Sequence, residues 1–482
     1  MKWEPVIGIE VHVELRTNSK MFCGCAAAFG ADPNTNVCPT CLGLPGALPV
    51  INEIAIEWIT RIGMALHSEI APHSVFHRKN YFYADLPKNY QISQYDLPIC
   101  VGGWLDIEVD GAEFTVGIER AHMEEDTGKS LHQGGGGRIH SATATWLDFN
   151  RSGVPLVEIV SRPEMSSAAQ ARAYAQQLRE VVAELGVSDA RMEEGSIRFD
   201  ANVSLRPEGS PELGTKVEIK NMNSFRSLER AVAAEIQRQI GILESAGTVI
   251  QETRHWDEEA GVTHAMRTKE GSSDYRYFTE PDLVPIVIGV DLLDEVHSQM
   301  PELPADRRRR YVHFGLDSHA ATVLSSSEET VRNLFKDAVE LGSDPVTTAN
   351  WLTGEVIASL RRVGLTIDQT SLTGRYVADL VGMITEGRLS SSAAKEVLAG
   401  VMDGEGSPSQ VATGRDLLQV SDESVITGVV EEVLASNPDA IERFRSGEEK
   451  VLGFLIGLIM RASAGKADPK LVNQILRDKL SM

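Results

Sequence analysis

The chain opens on a period of two. In VIGIEVHVEL, residues 6–15, the apolar side chains of Ile7, Ile9, Val11, Val13 and Leu15 alternate with Gly8, Glu10, His12 and Glu14. Successive side chains of a β-strand point to opposite faces, so the segment predicts a strand with one apolar face and one bearing Glu-His-Glu. The pattern returns in IRFDANVSLR, where Arg198, Asp200, Asn202, Ser204 and Arg206 oppose Ile197, Phe199, Ala201, Val203 and Leu205. TKVEIKN sets Lys216, Glu218 and Lys220 against Val217 and Ile219, and PLVEIVS carries Glu158 within an otherwise apolar strand. A solvated antiparallel face accounts for any one of these strands. Together they collect Glu, Asp, Asn and His, whereas Thr and Lys suit a merely wet surface. Carboxylates gathered so closely repel one another unless a cation or basic partner stands between them. The strands therefore predict a concave acidic sheet that holds a divalent ion, with lysines and arginines near enough to meet phosphate. HMEEDTGKS, residues 122–130, adds Glu124, Glu125, Asp126 and Lys129.

The period changes along the chain. Short alternating segments dominate up to about residue 290, with turns such as GGGG at 134–137. After MPELPADRRRR (300–310), WLTGEVIASLRR and SAAKEVLAGVM have the spacing of amphipathic helices. DGEGSPSQ at 403–410 breaks the pattern again before a last helical segment. The expected fold class is α+β: a β-rich, antiparallel, cradle-like catalytic body over 1–292, a helical domain over 293–405 and a small all-α tail domain over 406–482. A length of 482 residues accommodates three domains at roughly 150 each.

Composition narrows the class. Hydrophobic content of 42% and charged content of 24% are those of a soluble globular protein. The longest apolar run, VLGFLIGLIM, stops at Arg461, well short of the roughly 20 residues that span a bilayer. No secretory leader pattern is visible, and a cytoplasmic location is expected. The net charge of −23 argues against a generic nucleic-acid coat. Residues 408–482 carry 9 Lys and Arg against 11 Asp and Glu, so −21 of the excess sits in residues 1–407. If nucleic acid binds, the nearly neutral tail repels it least.

Two short motifs need separating. TGKS at 127–130 looks like the end of a P-loop, but Met123 stands where that motif needs glycine. Cys23, Cys25, Cys38 and Cys41 fall as C-x-C-x12-C-x2-C. In a cytosolic protein this spacing reads as a tetrahedral structural Zn²⁺ site ahead of free or redox-active thiols, with no open coordination position left for catalysis. Cys100 stands apart and is expected to be a plain, semi-buried thiol.

Longer stretches carry a family resemblance. VIGIEVHVELRTNSKMFCGC, RKNYFYADLPKNYQISQYD, HMEEDTGK, LDFNRSGVPLVEIVS, MEEGSIRFDANVS and GSSDYRYFTEPDLVP resemble the GatB subunit of the tRNA-dependent amidotransferase that acts on Asp-tRNA(Asn) and Glu-tRNA(Gln). The likeness runs from near residue 4 to the C-terminus, with Ala84 and Thr279 standing where the family usually has proline. The resemblance implies a heterotrimer, completed by a glutaminase subunit together with a further small subunit, that acts on misacylated tRNA with ATP and Mg²⁺. The activity implied is phosphorylation of the side-chain carboxylate, which ammonia from the glutaminase then amidates to give Gln-tRNA or Asn-tRNA.

Residue by residue, the resemblance places Glu10, His12, Glu125 and Glu158 in the metal and ATP pocket as catalytic groups and Mg²⁺ ligands. Asp200 and Asn202 are further pocket members, and Lys79, Arg151, Arg198 and Lys220 are phosphate contacts. Mg²⁺ prefers oxygen, so His12 suits Mn²⁺, a hydrogen-bond role, or simply satisfying a neighbouring carboxylate. No Ser-Ser-Lys amidase arrangement is found, and Ser272 and Ser273 sit in a GSSDY turn, so ammonia is expected from a partner. Asp468 and Pro469 read as the start of a final helix, with Arg461, Lys466 and Lys470 placed to meet tRNA phosphates. From the residues alone, two rivals stand beside this reading: a metal-dependent hydrolase, and a non-catalytic zinc-bearing tRNA-binding scaffold.

Overall fold

Alternation in the opening strand becomes the centre of a sheet. A computed structural model describes residues 2–133, 143–268, 275–419, 423–446, 448–463 and 466–481. The glycine run at 134–137, Ser272 and Ser273 lie outside the described residues. The elements that position the site are β1 (Trp3–Glu14), α1 (Glu53–Ala65), β2 (His77–Asn80), β3 (Tyr90–Ser93), β4 (Ala112–Glu125) and β5 (Pro155–Ser161). They continue with α2 (Ala168–Glu184), β6 (Ile197–Pro207), β7 (Val217–Lys220), α3 (Phe225–Glu244), β8 (Glu252–Asp257), β9 (Val262–Thr268) and β10 (Phe278–Thr279).

The main sheet has the order β9-β8-β7-β6-β1-β5-β4, followed by short strands at Cys100–Val101 and Glu69–Ile70. β1 pairs antiparallel with β5 on one side and β6 on the other, and β4–β5, β6–β7 and β8–β9 are also antiparallel. The sheet is nevertheless mixed, because β7 and β8 run parallel. Parallel neighbours need a crossover, and α3 supplies it. A small separate sheet has the order β10-β2-β3, with β2 pairing antiparallel to both neighbours.

Ile7, Ile9, Val11 and Val13 are at most 1% exposed, and they pack with Ile59 of α1, Tyr174 and Leu178 of α2 and Val232 of α3 in one core. Each buried aliphatic side chain contributes about 1.5–3 kcal/mol, so the register of β1 is strongly specified. The three helices start at side-chain caps: Asn52, Ser167 and Ser224 accept from the amides of Ile54, Gln170 and Ser227. The helices cover the apolar face, and the small sheet of β2 and β3 lies against part of the polar one.

One compact unit comprises Met1–Ala305 and a second Asp306–Met482. The first core extends past residue 292, since Leu293, Met300 and Leu303 pack against it. In the second unit, α4 (Glu329–Glu340), α5 (Gly374–Thr385) and α6 (Ser391–Met402) pack around Phe335, Leu380 and Val397, in a core that reaches Ala412. A separate core, including Val430, Leu455 and Leu476, joins α7 (Glu423–Ala435), α8 (Lys450–Ala462) and α9 (Pro469–Ser481). Asp468 caps α9 by accepting from the Lys470 amide at 2.8 Å. No helix among the described residues is long and apolar enough to cross a membrane.

A buried charge fixes α3 to the outer strands. Glu235 is fully buried and accepts from Arg238 at 2.6 and 2.9 Å, from Gln239 at 2.9 Å and from the Thr263 hydroxyl of β9 at 2.9 Å. Removing one member of a buried pair leaves its partners uncompensated, so Glu235→Ala is expected to cost about 3–5 kcal/mol. The denaturant midpoint of the first unit's transition reports it; an unchanged midpoint contradicts the assignment.

Candidate active site

Register gathers the polar side chains. Across the β1–β5 ladder His12 faces Glu158, and across β1–β6 it faces Arg198, while Glu10 faces Asp200. One strand further, Glu158 faces His122 and Leu156 faces Glu124. Asn202 faces Glu218 at β7. Every second residue of five neighbouring strands thus projects onto one surface, above a cavity of about 470 Å³. His12, Lys79, Tyr81, Glu124, Arg198 and Lys220 are among its lining residues.

At its acidic centre, ligand atoms of His12, Glu124 and Glu158 lie within 4.8 Å of one another. His12 Nε2 is 3.7 Å from Glu158 Oε2, and His122 Nε2 lies 3.4 Å from Glu124 and 3.5 Å from Glu158. Lys79 of β2 reaches across to place its ammonium 3.7 Å from Glu124 Oε1. Glu124 also accepts from Ser93 at 2.7 Å and from Gln91 at 2.9 Å. Burial pushes its carboxyl pKa up, but Lys79, His122 and His12 outweigh burial and hold it well below the usual carboxylate range. Lys79 is the mirror case: burial works against its charge, and Glu124 more than restores it.

A second charge group borders the first. Arg198 donates to Asp126 at 2.7 Å and lies 3.8 Å from Glu14. Burial opposes ionisation of Asp126, yet Arg198 and Arg151 keep its pKa low. Glu14 is on the losing side of that arrangement: burial, with the Asp126 charge beside it, pushes its carboxyl up to about 8. Lys220 pairs with Asp200 and lies 3.4 Å from Glu218.

The expected site residues separate into those that converge and those that do not. His12, Glu158, Lys79, Arg198, Asp200 and Lys220 share the polar face or its cavity. Glu10 shares the face but is taken up by Asn202, whose amide donates to it at 2.9 Å. Arg151 instead braces the 126–128 loop, donating to the carbonyls of Thr127 at 3.1 Å and Gly128 at 3.0 Å. That loop leads into a strand, Lys129–Gln133, and forms no P-loop.

Glu125 lies apart from this cluster. It follows Glu124 in β4 and so points to the other face, where it pairs with Lys88 and accepts from the Ile92 amide at 2.9 Å. Glu124 takes the place expected of Glu125 beside His12. Parity was the available signal: His122, Glu124 and Asp126 are spaced by two, as are Glu10, His12 and Glu14. Gln91, Lys88 and Tyr81 carried no comparable pattern.

The four cysteines also converge. The Sγ atoms of Cys23, Cys25, Cys38 and Cys41 lie within 4.8 Å of one another, where a tetrahedral zinc site with bonds of about 2.3 Å needs roughly 3.8 Å. The Cys38 amide donates to Cys41 Sγ at 3.1 Å, and the buried Lys20 ammonium lies 3.7 Å from it. A hydrogen bond from Cys23, with the Cys38 amide and Lys20, draws the Cys41 thiol down to about 4. The donor set fits a thiolate-bound metal. Cys100 is fully buried rather than semi-buried, and burial pushes its thiol up to about 12.

Comparison with known proteins gives this geometry its context. Residues 5–294 match the model of the GatB/GatE catalytic domain, and residues 333–480 that of the GatB domain. The class is that of a ligase-type amidotransferase subunit. Similar proteins include the GatB subunit of the aspartyl/glutamyl-tRNA(Asn/Gln) amidotransferase of Moorella thermoacetica, 50% identical over 481 residues and 100% of both chains. That of Frankia casuarinae is 48% identical over 100% of this chain and 96% of its own. That of a Picosynechococcus species is 48% identical over 99% and 98%. The chain belongs to the GatB family of amidotransferase subunits.

Placement of Glu124 and Glu125 on opposite faces makes a prediction. Glu124→Gln is expected to weaken Mn²⁺ binding by about tenfold or more, and Glu125→Gln to leave it within about twofold. Calorimetric titration of both variants checks this; equal losses contradict the assignment.

Proposed function

We propose that the chain uses ATP to phosphorylate the side-chain carboxylate of Glu-tRNA(Gln) or Asp-tRNA(Asn), and that ammonia then displaces phosphate to leave the amide. An unactivated carboxylate is a poor electrophile; the acyl phosphate carries a leaving group. The observation that supports this reading is the His12–Glu124–Glu158 cluster with the Lys79 ammonium 3.7 Å from Glu124, in a cavity also lined by Arg198 and Lys220. Transfer between two anions calls for positive charge around the transferring group. Lys79, Arg198 and Lys220 supply it from three strands, each held in its charged form by a neighbouring carboxylate.

His12, Glu124 and Glu158 offer one imidazole nitrogen and two carboxylates to Mg²⁺, or to the softer Mn²⁺. Such an ion, when bound, neutralises phosphate charge and orients the nucleotide. Glu10, Asp200 and Asn202 steady the neighbouring face through the Asn202–Glu10 and Lys220–Asp200 bonds. The four cysteines would hold a structural Zn²⁺ and tie the 23–41 segment together.

The relatives' names describe one subunit of an assembly that acts on tRNA. For this chain the partners proposed are a glutaminase subunit, which supplies ammonia, a further small subunit, to complete a heterotrimer, and the misacylated tRNA, with the complex working in the cytoplasm. In the tail, Arg461 and Lys470 are exposed and suited to tRNA phosphates, whereas Lys466 is engaged by Asp416.

With ammonium salt as nitrogen donor, His12→Ala and Lys79→Ala are expected to lower ATP-dependent amidation by about a hundredfold or more. Near-normal turnover in both contradicts the site, and amide formation without ATP favours hydrolase-type chemistry. For the cysteines, metal analysis is expected to find one zinc per chain in reducing buffer and a loss of zinc in Cys41→Ser. Metal-free wild-type protein contradicts that assignment.

A further inference from the structure

Beside the cavity stands a group of aromatic rings for which phosphoryl transfer has no use. Tyr81 lines the cavity, and its ring meets Tyr83 and Tyr275 edge-on, at 5.9 and 6.0 Å between centroids. Tyr275 packs against Tyr277 at 6.1 Å. The Lys79 ammonium lies 5.3 Å from the centre of the Tyr275 ring and 3.7 Å from Glu124, so one cation touches both the aromatic wall and the carboxylate cluster.

The wall is held in place from behind. The Asn80 amide donates to the carbonyls of Tyr275 at 3.2 Å and Arg276 at 2.8 Å. Arg276 adopts a left-handed φ of 44°, a sharp turn between the two tyrosines. The Tyr81 hydroxyl reaches Gln91 at 3.4 Å, and Gln91 in turn bonds Glu124. Tyr83 is nonetheless 51% exposed.

We propose that Tyr81, Tyr83 and Tyr275 form a stacking subsite for an adenine ring, which either ATP or the terminal adenosine of an aminoacyl-tRNA can present. The inference rests on the function proposed above. In both substrates a ribose and a short linker join adenine to the reacting group, so the base must sit within a linker's reach of the carboxylate cluster. Lys79 bridges that interval and matches the anionic phosphates attached to either adenosine. An aromatic wall binds the uncharged π-face of a base without needing its hydrogen-bonding edge.

The test uses the assembled complex with its glutaminase and small subunits, and AMP as a probe that resembles both adenosines. Tyr83→Leu and Tyr275→Leu keep apolar bulk and lose the π-face; Tyr83→Phe and Tyr275→Phe keep it. The leucine variants are expected to weaken AMP binding and to raise one KM by roughly five- to a hundredfold. The phenylalanine variants should stay close to wild type. A rise confined to the KM for ATP assigns the subsite to ATP, and a rise confined to the KM for tRNA assigns it to the terminal adenosine. Unchanged AMP binding and unchanged KM values in the leucine variants overturn the proposal. Dissociation of the complex in gel filtration also overturns it, by making the wall part of an interface between subunits. If the wild-type complex fails to amidate tRNA, the proposed function falls, and AMP binding alone still decides the subsite.

Discussion

The site depends on the in-register pairing of β1 with a strand on either side. Because His12 faces Glu158 on one flank and Arg198 on the other, acids and bases from separate parts of the chain meet on one face. The force that sets this register lies on the opposite face, where Ile7, Ile9, Val11 and Val13 are sealed under helices. A slip of one residue would exchange the two faces, exposing the aliphatic row and burying the charges in the core. Apolar packing therefore determines where the polar groups stand.

Burial of so many charges is tolerable only because they are matched. Glu124 is 3% exposed and remains ionised because Lys79 and two histidines surround it. Asp126 is in the same position with Arg198 and Arg151. Where the matching fails, as at Glu14, the carboxyl pKa rises to about 8. Buried ion pairs are weak contributors to stability, since desolvation offsets much of their attraction. Their arrangement here is better understood as preorganisation: fixed charges stand ready to receive a phosphate without having to reorient.

Much of this was legible in the sequence. Period-two alternation in 6–15 and 197–206 marks the strands and their faces, because burial on one side leaves a strict imprint. The cysteine spacing marks the 23–41 cluster for a similar reason: short turns leave paired thiols little choice but to converge. Glu125 is easily mistaken for Glu124 because a run of three acids hides the parity that its neighbours set. The parallel β7–β8 pair is hidden because α3, the crossover between them, lies on the far face from the motifs. The aromatic wall joins Tyr81 to Tyr275, and no local pattern announces a contact across such a separation. Long-range pairing decides these features, and it leaves its mark only in three dimensions.

Anomalous X-ray scattering from crystals grown with Mn²⁺ tests the central claim most directly. The account predicts a peak bonded to His12 Nε2 and to carboxylate oxygens of Glu124 and Glu158, with Lys79 at its edge. A cavity without such a peak, or an ion bound on the Glu125 side of the sheet, would contradict it.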